Sequence, residues 1–259
     1  MFKKLIVFAI VGILLISGLV LYLQTGSKEL YTPQKISLKD LGIESSASFV
    51  ALNLYKDKML IIPSFPSKGS IYVYNLTSKE VMNLTANVKG DIGGWSSDIY
   101  EDIIVWSERR EVERETNNSI SVEGIYAYNL TSGEEIPVYI DPTGRQMYPQ
   151  IYEDIIVWQS NKFADEKGVI CLPPNIYGYN LTTQEKFLIS TTPAARPRIY
   201  GDIVVWEDHR NKNEDIYGYN LTQKKEFPVC IRNGDQGLVG IWEDKILYLE
   251  RSTNTTSNF

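Results

Sequence analysis

An eight-residue phrase recurs along the chain and constrains its architecture more than any other feature. It reads Ile-Tyr-Glu-Asp-Ile-Ile-Val-Trp at Ile99–Trp106 and at Ile151–Trp158, and returns with Gly for Glu and Val for the second Ile of Ile-Ile at Ile199–Trp206. Weaker copies stand at Leu54–Ile61 and Ile241–Tyr248, and the shared Asp (Asp57, Asp102, Asp154, Asp202, Asp244) gives spacings of 45, 52, 48 and 42 residues. A period of 40 to 50 residues marks a repeat architecture, in which each unit buries its faces only by stacking on its neighbours.

Each copy predicts two short strands around a tight Glu-Asp, Gly-Asp or Lys-Asp turn. The second half, Ile-Ile-Val-Trp, is a continuous apolar run of the kind found in strands covered on both faces. A second phrase, Tyr-x-Tyr-Asn-Leu-Thr, follows at Tyr72–Thr77, Tyr126–Thr131, Tyr177–Thr182 and Tyr217–Thr222. Its two Tyr share a strand face, and the small residue between them (Val73, Ala127, Gly178, Gly218) points at a close neighbour. The Asn opens a turn, and a fourth strand follows, as at Glu134–Ile140 and Glu226–Cys230.

Four antiparallel strands per unit make a propeller blade. The expected fold is all-β: a five-bladed β-propeller of four-stranded antiparallel blades, preceded by one N-terminal transmembrane helix. The blades fall at about 49–89, 90–144, 145–193, 194–235 and 236–251, in a propeller region spanning 49–259. The last has only two strands of its own, and the stalk, residues 25–48, is expected to complete it with a strand around Ile36. The alternative is an open arc closing against a second molecule, since no Tyr-x-Tyr-Asn phrase follows Arg251.

Residues 1–24 hold nineteen uncharged residues from Leu5 to Leu23, enough at helical rise for roughly 28 Å, about one hydrocarbon core. This run exceeds the ordinary signal-peptide core, and no small-x-small site stands out before Gln24. An uncleaved single-pass anchor is therefore expected, with the propeller on the extracytoplasmic side; Ser17 and Gly18 leave a cleaved signal as the alternative. Beyond Lys3 and Lys4 the body carries 24 basic and 32 acidic residues, a net charge of −8. Such a surface argues against nucleic acid as a partner. One His, His209, and no Cys-x-x-Cys exclude most zinc hydrolase arrangements. Cys171 and Cys230 precede and follow strands of neighbouring blades, so a disulfide between them is open.

At Trp206-Glu-Asp-His-Arg-Asn-Lys-Asn-Glu-Asp-Ile-Tyr-Gly-Tyr-Asn-Leu-Thr222 the chain resembles the repeat of TolB-like (WD40-like) propellers, in the form common in archaeal cell-surface proteins. The resemblance covers residues 49–250. It implies an extracytoplasmic propeller and no single activity, because a fold is not a function. Blades two and three depart from the pattern: their Asp-to-Asn distances are 27 and 26 residues against 18 in blades one and four, with expanded loops at Ser107–Gly124 and Gln159–Asn175.

Several groups are candidates for function. The position before each phrase holds Asn53, Asp98, Gln150, Arg198 and Gly240 on the innermost strand. Polar variety there suits a ring that reads a ligand, and suits drift at a solvated site equally. Asp208, Asn211, Asn213 and Asp215 have the spacing of a calcium loop without its Gly and distal Glu; the same residues favour a hairpin turn. No other cofactor is implied. The mixed charges of Glu108, Arg109, Arg110, Glu111, Glu113, Arg114 and Glu115 read as a solvated surface. Trp106, Trp158 and Trp206 end a buried strand and read as core, with Trp95 the more exposed aromatic. Sequons stand at Asn75, Asn83, Asn117, Asn129, Asn180, Asn220 and Asn254; turn chemistry alone accounts for the four in the repeated turn, whereas Asn117 and Asn254 need another reason, and some glycosylation is expected if the chain lies outside the cell. The sequence thus leads to a binding or structural module for an envelope protein or glycan, with the expanded loops as its recognition face. The alternative is a glycan-active enzyme working in the channel around Asp98, Gln150 and Arg198, although Asp98 is the only acid at that ring position.

Overall fold

The computed structural model describes residues 8–10, 20–24, 34–37, 49–64, 70–113, 119–162 and 173–251. Blade one comprises β4 (Phe49–Tyr55), β5 (Lys58–Ser64), β6 (Tyr72–Asn75) and β7 (Val81–Asn83), after the N-terminal strands β1 (Phe8–Ile10), β2 (Val20–Gln24) and β3 (Gln34–Ser37). Blade two comprises β8 (Asp91–Tyr100), β9 (Ile103–Glu113), β10 (Ser119–Asn129) and β11 (Glu134–Ile140). Blade three follows with β12 (Gly144–Tyr152), β13 (Ile155–Lys162), β14 (Asn175–Asn180) and β15 (Glu185–Ser190). Blade four has β16 (Ala194–Tyr200), β17 (Ile203–Asp208), β18 (Asp215–Asn220) and β19 (Lys225–Cys230), and blade five has β20 (Asp235–Trp242) and β21 (Lys245–Arg251). In every blade the strands pair antiparallel in sequence order.

The phrase forms the first two strands of each blade. Its third residue turns the chain with a positive φ of 51–58° at Lys56, Glu101, Glu153, Gly201 and Glu243. The Asp beside it ties this turn to the Asn-Leu-Thr turn of the same blade. Leu76, Leu130, Leu181 and Leu221 donate their N–H to the carbonyls of Asp57, Asp102, Asp154 and Asp202 at 2.7–2.8 Å. The two phrases thus meet at one end of each sheet, which is why they recur together.

Cores lie between sheets. Ile104 and Trp106 face blade one, packing with Leu60, Ile62 and Val73, whereas Val105, between them, joins Ile125, Ile151, Ile156 and Trp158 on the side of blade three. The pattern repeats between blades three and four and between four and five. Each fully buried residue such as Ile104 or Ile156 is worth about 1.5–3 kcal/mol relative to exposure, and a continuous apolar strand is needed because both of its faces are covered. The innermost strands β4, β8, β12, β16 and β20 each touch the next around the axis.

Two expectations change. The strand around Ile36 exists, but it pairs with β2 (Leu21 opposite Ile36) and leaves blade five two-stranded. A partner close along the chain closes a shorter loop than β21 would, at lower entropic cost. Where one helix is expected over Leu5–Leu23, the described parts are extended, with Phe8 opposite Gln24, as β-branched Ile and Val residues favour. Among the described residues no helix is long and apolar enough to cross a membrane. In blade two the segment Ser107–Gly124, read as an expanded loop, continues the β9–β10 hairpin out to Glu113 opposite Ser119. Residues 163–172 of the other expanded loop lie outside the described residues.

Candidate functional site

The end of each innermost strand builds the axis of the molecule. The residue before the phrase and the second residue of the phrase lie two apart on one strand face, so they form two layers about 6.6 Å apart. The deeper layer holds Asn53, Asp98, Gln150, Arg198 and Gly240. Asn53 donates from Nδ2 to the Ser97 carbonyl at 2.6 Å, stapling blade one to blade two. Asp98 accepts from the N–H of Ile99 at 2.9 Å and from that of Ile151 at 3.0 Å, stapling blade two to blade three. Among the described residues Gln150 and Arg198 make no such staple, and they donate to the carbonyls of Pro149 and Pro197. Next to Arg198 in this layer, a side chain at Gly240 would meet open space.

Asp98 and Arg198 belong to blades two and four, which are not neighbours, yet each feels the other's charge. Both stand on innermost strands, β8 and β16, that flank β12. Burial pushes the Asp98 carboxyl up to about 6, against the pull of the two N–H donors and of Arg198. Burial likewise lowers the Arg198 guanidinium, with Asp98 opposing.

The outer layer is a collar of aromatic rings. Tyr55, Tyr100, Tyr152, Tyr200 and Trp242 follow one another around the channel mouth with centroids 4.6, 4.9, 4.8 and 5.3 Å apart and planes tilted by 47–51°. The tyrosines are half-buried, and Trp242 is 54% exposed. Burial raises the phenols of Tyr100 and Tyr152 to about 12. The sequence reading missed this collar, although its signal is plain: the second residue of all five phrases is aromatic.

The other candidates settle into structural positions. The Asp208 carboxylate accepts from the Trp206 indole at 2.9 Å and from Arg210, whose guanidinium holds it below the usual carboxylate range despite burial. Asn211 and Asn213 donate to the Asp215 carboxylate at 2.7 and 2.9 Å, and Asn213 also reaches the Arg232 and Gly234 carbonyls. Amide and guanidinium donors thus occupy the oxygens that a calcium ion would need. Among the described residues no three His, Cys, Asp or Glu side chains gather at metal-binding spacing. Trp106, Trp158 and Trp206 are buried to 1% exposure or less. Trp95 has no described side chain, so Trp242 is the exposed aromatic that the structure shows.

The repeated sequon Asn works as a turn brace. Oδ1 of Asn75, Asn129, Asn180 and Asn220 accepts from the N–H groups of Thr77, Thr131, Thr183 and Gln223, and Asn75 and Asn220 donate to Asp57 and Asp202. Asn83 is exposed on β7, while Asn117 and Asn254 lie outside the described residues. So does Cys171; Cys230 is a buried free cysteine packed against Val205, Ile216 and Leu238.

No family model matches the chain, and no curated protein matches it significantly. Solved structures do. The propeller domain of the Trilobed protease from Pyrococcus furiosus, described as having an open velcro topology, is similar at 15% identity and a TM-score of 0.61, over 90% of this chain and 70% of that one. TolB from Acinetobacter baumannii matches at 12% identity and a TM-score of 0.55, over 84% of this chain; the chain spans only 50% of its length. Acylaminoacyl peptidase from Pyrococcus horikoshii matches at 12% identity and a TM-score of 0.50, over 74% of this chain and 34% of that one. At such identities the likeness speaks for architecture alone, and the architecture is that of the β-propellers found in TolB and related proteins.

Proposed function

We propose that this chain is a non-catalytic binding module of the cell envelope, held at the membrane through Leu5–Leu23 with its propeller on the outer side. The observation that supports binding over chemistry is how the buried acids are bonded. Glu207 takes the Arg196 guanidinium and the Leu238 N–H, and Asp208 takes Arg210 and the Trp206 indole. Glu108 takes the Trp106 indole and Arg110. These carboxylates serve the fold, while the groups offered at the channel mouth are aromatic faces. The blade-two hairpin beyond Ser107 adds a projecting edge with Val112 exposed.

One observation favours a second reading, a glycan-active enzyme: Asp98, on the innermost strand of its blade, titrates near 6, as a general acid does. Glycoside hydrolysis needs a second carboxylate at a set distance, and the Asp98 layer has none. The test is to immobilise the full chain in detergent and pass an envelope extract over it. An intact protein or glycan retained by the wild type and released by Trp242→Ala supports the binding reading. Shortened glycans in the flow-through, lost in Asp98→Asn, would replace it with the enzyme.

A further inference from the structure

The collar already holds one ammonium, supplied by the chain itself. In blade one the third residue of the phrase is Lys56, whose ammonium lies over the Tyr55 ring at 5.0 Å and reaches Glu101 of the next blade at 3.3 Å. An aromatic face of one blade and a carboxylate of the following one thus enclose a primary ammonium. Both contributions are favourable: the ring quadrupole attracts a cation, and the carboxylate neutralises it.

The same step recurs one blade on without its lysine. Tyr100 stands where Tyr55 stands, Glu153 where Glu101 stands, and the position of Lys56 is taken by Glu101. Glu153 occupies the same left-handed turn position as Glu101 (φ 53° and 51°) and follows Tyr152, whose ring lies 4.9 Å from that of Tyr100; its charge helps raise the Tyr100 phenol, and no ion pair to it is seen among the described residues. Tyr152 lacks such a carboxylate, because the next turn has Gly201. The mouth therefore offers a ring-and-carboxylate step already filled by the chain's own lysine, and beside it an equivalent step with no internal cation. The acidic turns around it (Asp154, Asp202) favour cations generally.

We infer that the Tyr100–Glu153 step at the channel mouth binds a primary ammonium, presented by a lysine-bearing segment of the protein partner. This deepens the binding reading and rests on it. The alternation of ring and acid around the axis lets an extended segment place one lysine in the step while its neighbours lie along the remaining rings, Tyr152 and Tyr200.

The experiment uses the full chain in detergent and a fluorescein-labelled tetralysine peptide followed by anisotropy. Glu153→Gln is expected to weaken binding about threefold to tenfold, the range of an exposed cation–aromatic step with its acid removed. Acetylating the lysines abolishes binding, and raising salt from about 50 to about 300 mM weakens it. Glu101→Lys, which gives blade two the lysine that blade one has, fills the step from within and weakens the peptide to the same degree. Tyr100→Leu does likewise, and because it touches the collar the exposed turn variants Glu153→Gln and Glu101→Lys carry the test if it misfolds. Equal binding of the acetylated peptide, or unchanged affinity in both turn variants, overturns the inference. Competition by spermine at lower concentration than by the unlabelled peptide reassigns the step to a free polyamine. Failure here with retention of an envelope protein by the wild-type column would sink this inference alone and leave the binding reading standing.

Discussion

Blades two and three carry the same phrase letter for letter, yet they finish its Trp strand by different chemistry. In blade two the Trp106 indole donates to Glu108 at 2.8 Å, Arg110 pairs with Glu108 at 2.7 Å and with Glu135 at 2.9 Å, and its guanidinium lies 3.5 Å over Tyr126. Blade four repeats this with Trp206, Asp208, Arg210, Glu226 and Tyr217. In blade three the Trp158 indole donates instead to Gln146 at 2.9 Å, and Lys186 of the outer strand supplies the cation over Tyr139 and Tyr177. What each of the three Trp-bearing blades provides is an acceptor for a buried indole and a cation on the tyrosine face. The residue that provides it is free to change, because several side chains reach the same point.

The largest contrast is expected on deleting the acceptor. Asp208→Ala leaves the buried Trp206 indole unpaired and takes from Arg210 one of its two carboxylates, with Glu226 remaining, and should cost about 2–4 kcal/mol. Gln146→Ala leaves only a neutral indole unpaired and should cost about 1–3 kcal/mol. Urea unfolding midpoints of the two variants decide between them. Equal losses would mean that charge adds nothing to the blade-four arrangement and that the two chemistries are interchangeable in energy as well as in position.

The same contrast between charged and neutral solutions reaches the axis, where Asp98 staples blades two and three. Its carboxyl titrates near 6 in the folded protein and near 4 unfolded, so folding favours the protonated form. Its contribution is fully present below about pH 4 and is lost as pH rises through about 6, a change of at most about 3 kcal/mol. Asp102, Asp141 and Asp208, whose pKa values are lowered, act in the opposite direction. The diagnostic is therefore a difference: wild type minus Asp98→Asn should lose stability between pH 4 and 6 in chemical denaturation. A flat difference would mean that Arg198 and the two N–H donors offset burial and hold the carboxyl in its ordinary range.

These contrasts also show how far the sequence could be read. The repeats located the strands, since Ile-Ile-Val-Trp needs cover on both faces and Asn-Leu-Thr needs a turn. Trp106, Trp158 and Trp206 were legible as core for the same reason. The collar was overlooked because only the arrangement of the blades around one axis brings Tyr55, Tyr100, Tyr152, Tyr200 and Trp242 into one arc. Glu135, Glu226 and Lys186 lie on outer strands at uneven distances from their Trp, so no spacing announced them. The pairing of Gln34–Ser37 with β2 depends on two strand-competent segments competing for one partner, which local pattern does not rank.

The smallest effect concerns the residue between the paired tyrosines. Across the third and fourth strands it faces a partner of compensating size: Val73 opposite Met82, Ala127 opposite Ile136, Gly178 opposite Phe187, and Gly218 opposite Phe227. In blade four a Cβ on Gly218 would lie 2.7 Å from the Phe227 ring, closer than real contacts allow, so the ring itself occupies the space of the missing side chain. Gly218→Val should cost about 1–3 kcal/mol by overpacking, and adding Phe227→Leu should recover most of it in a double-mutant cycle. The same substitution pair transplanted to blade one runs the other way: Val73→Gly there loses contact with Met82 and gains nothing, unless Met82→Phe fills the gap. If Gly218→Val were neutral by itself, the ring would be free to swing outward, and the size pairing would be an accident of composition rather than the rule that sets the outer half of each blade.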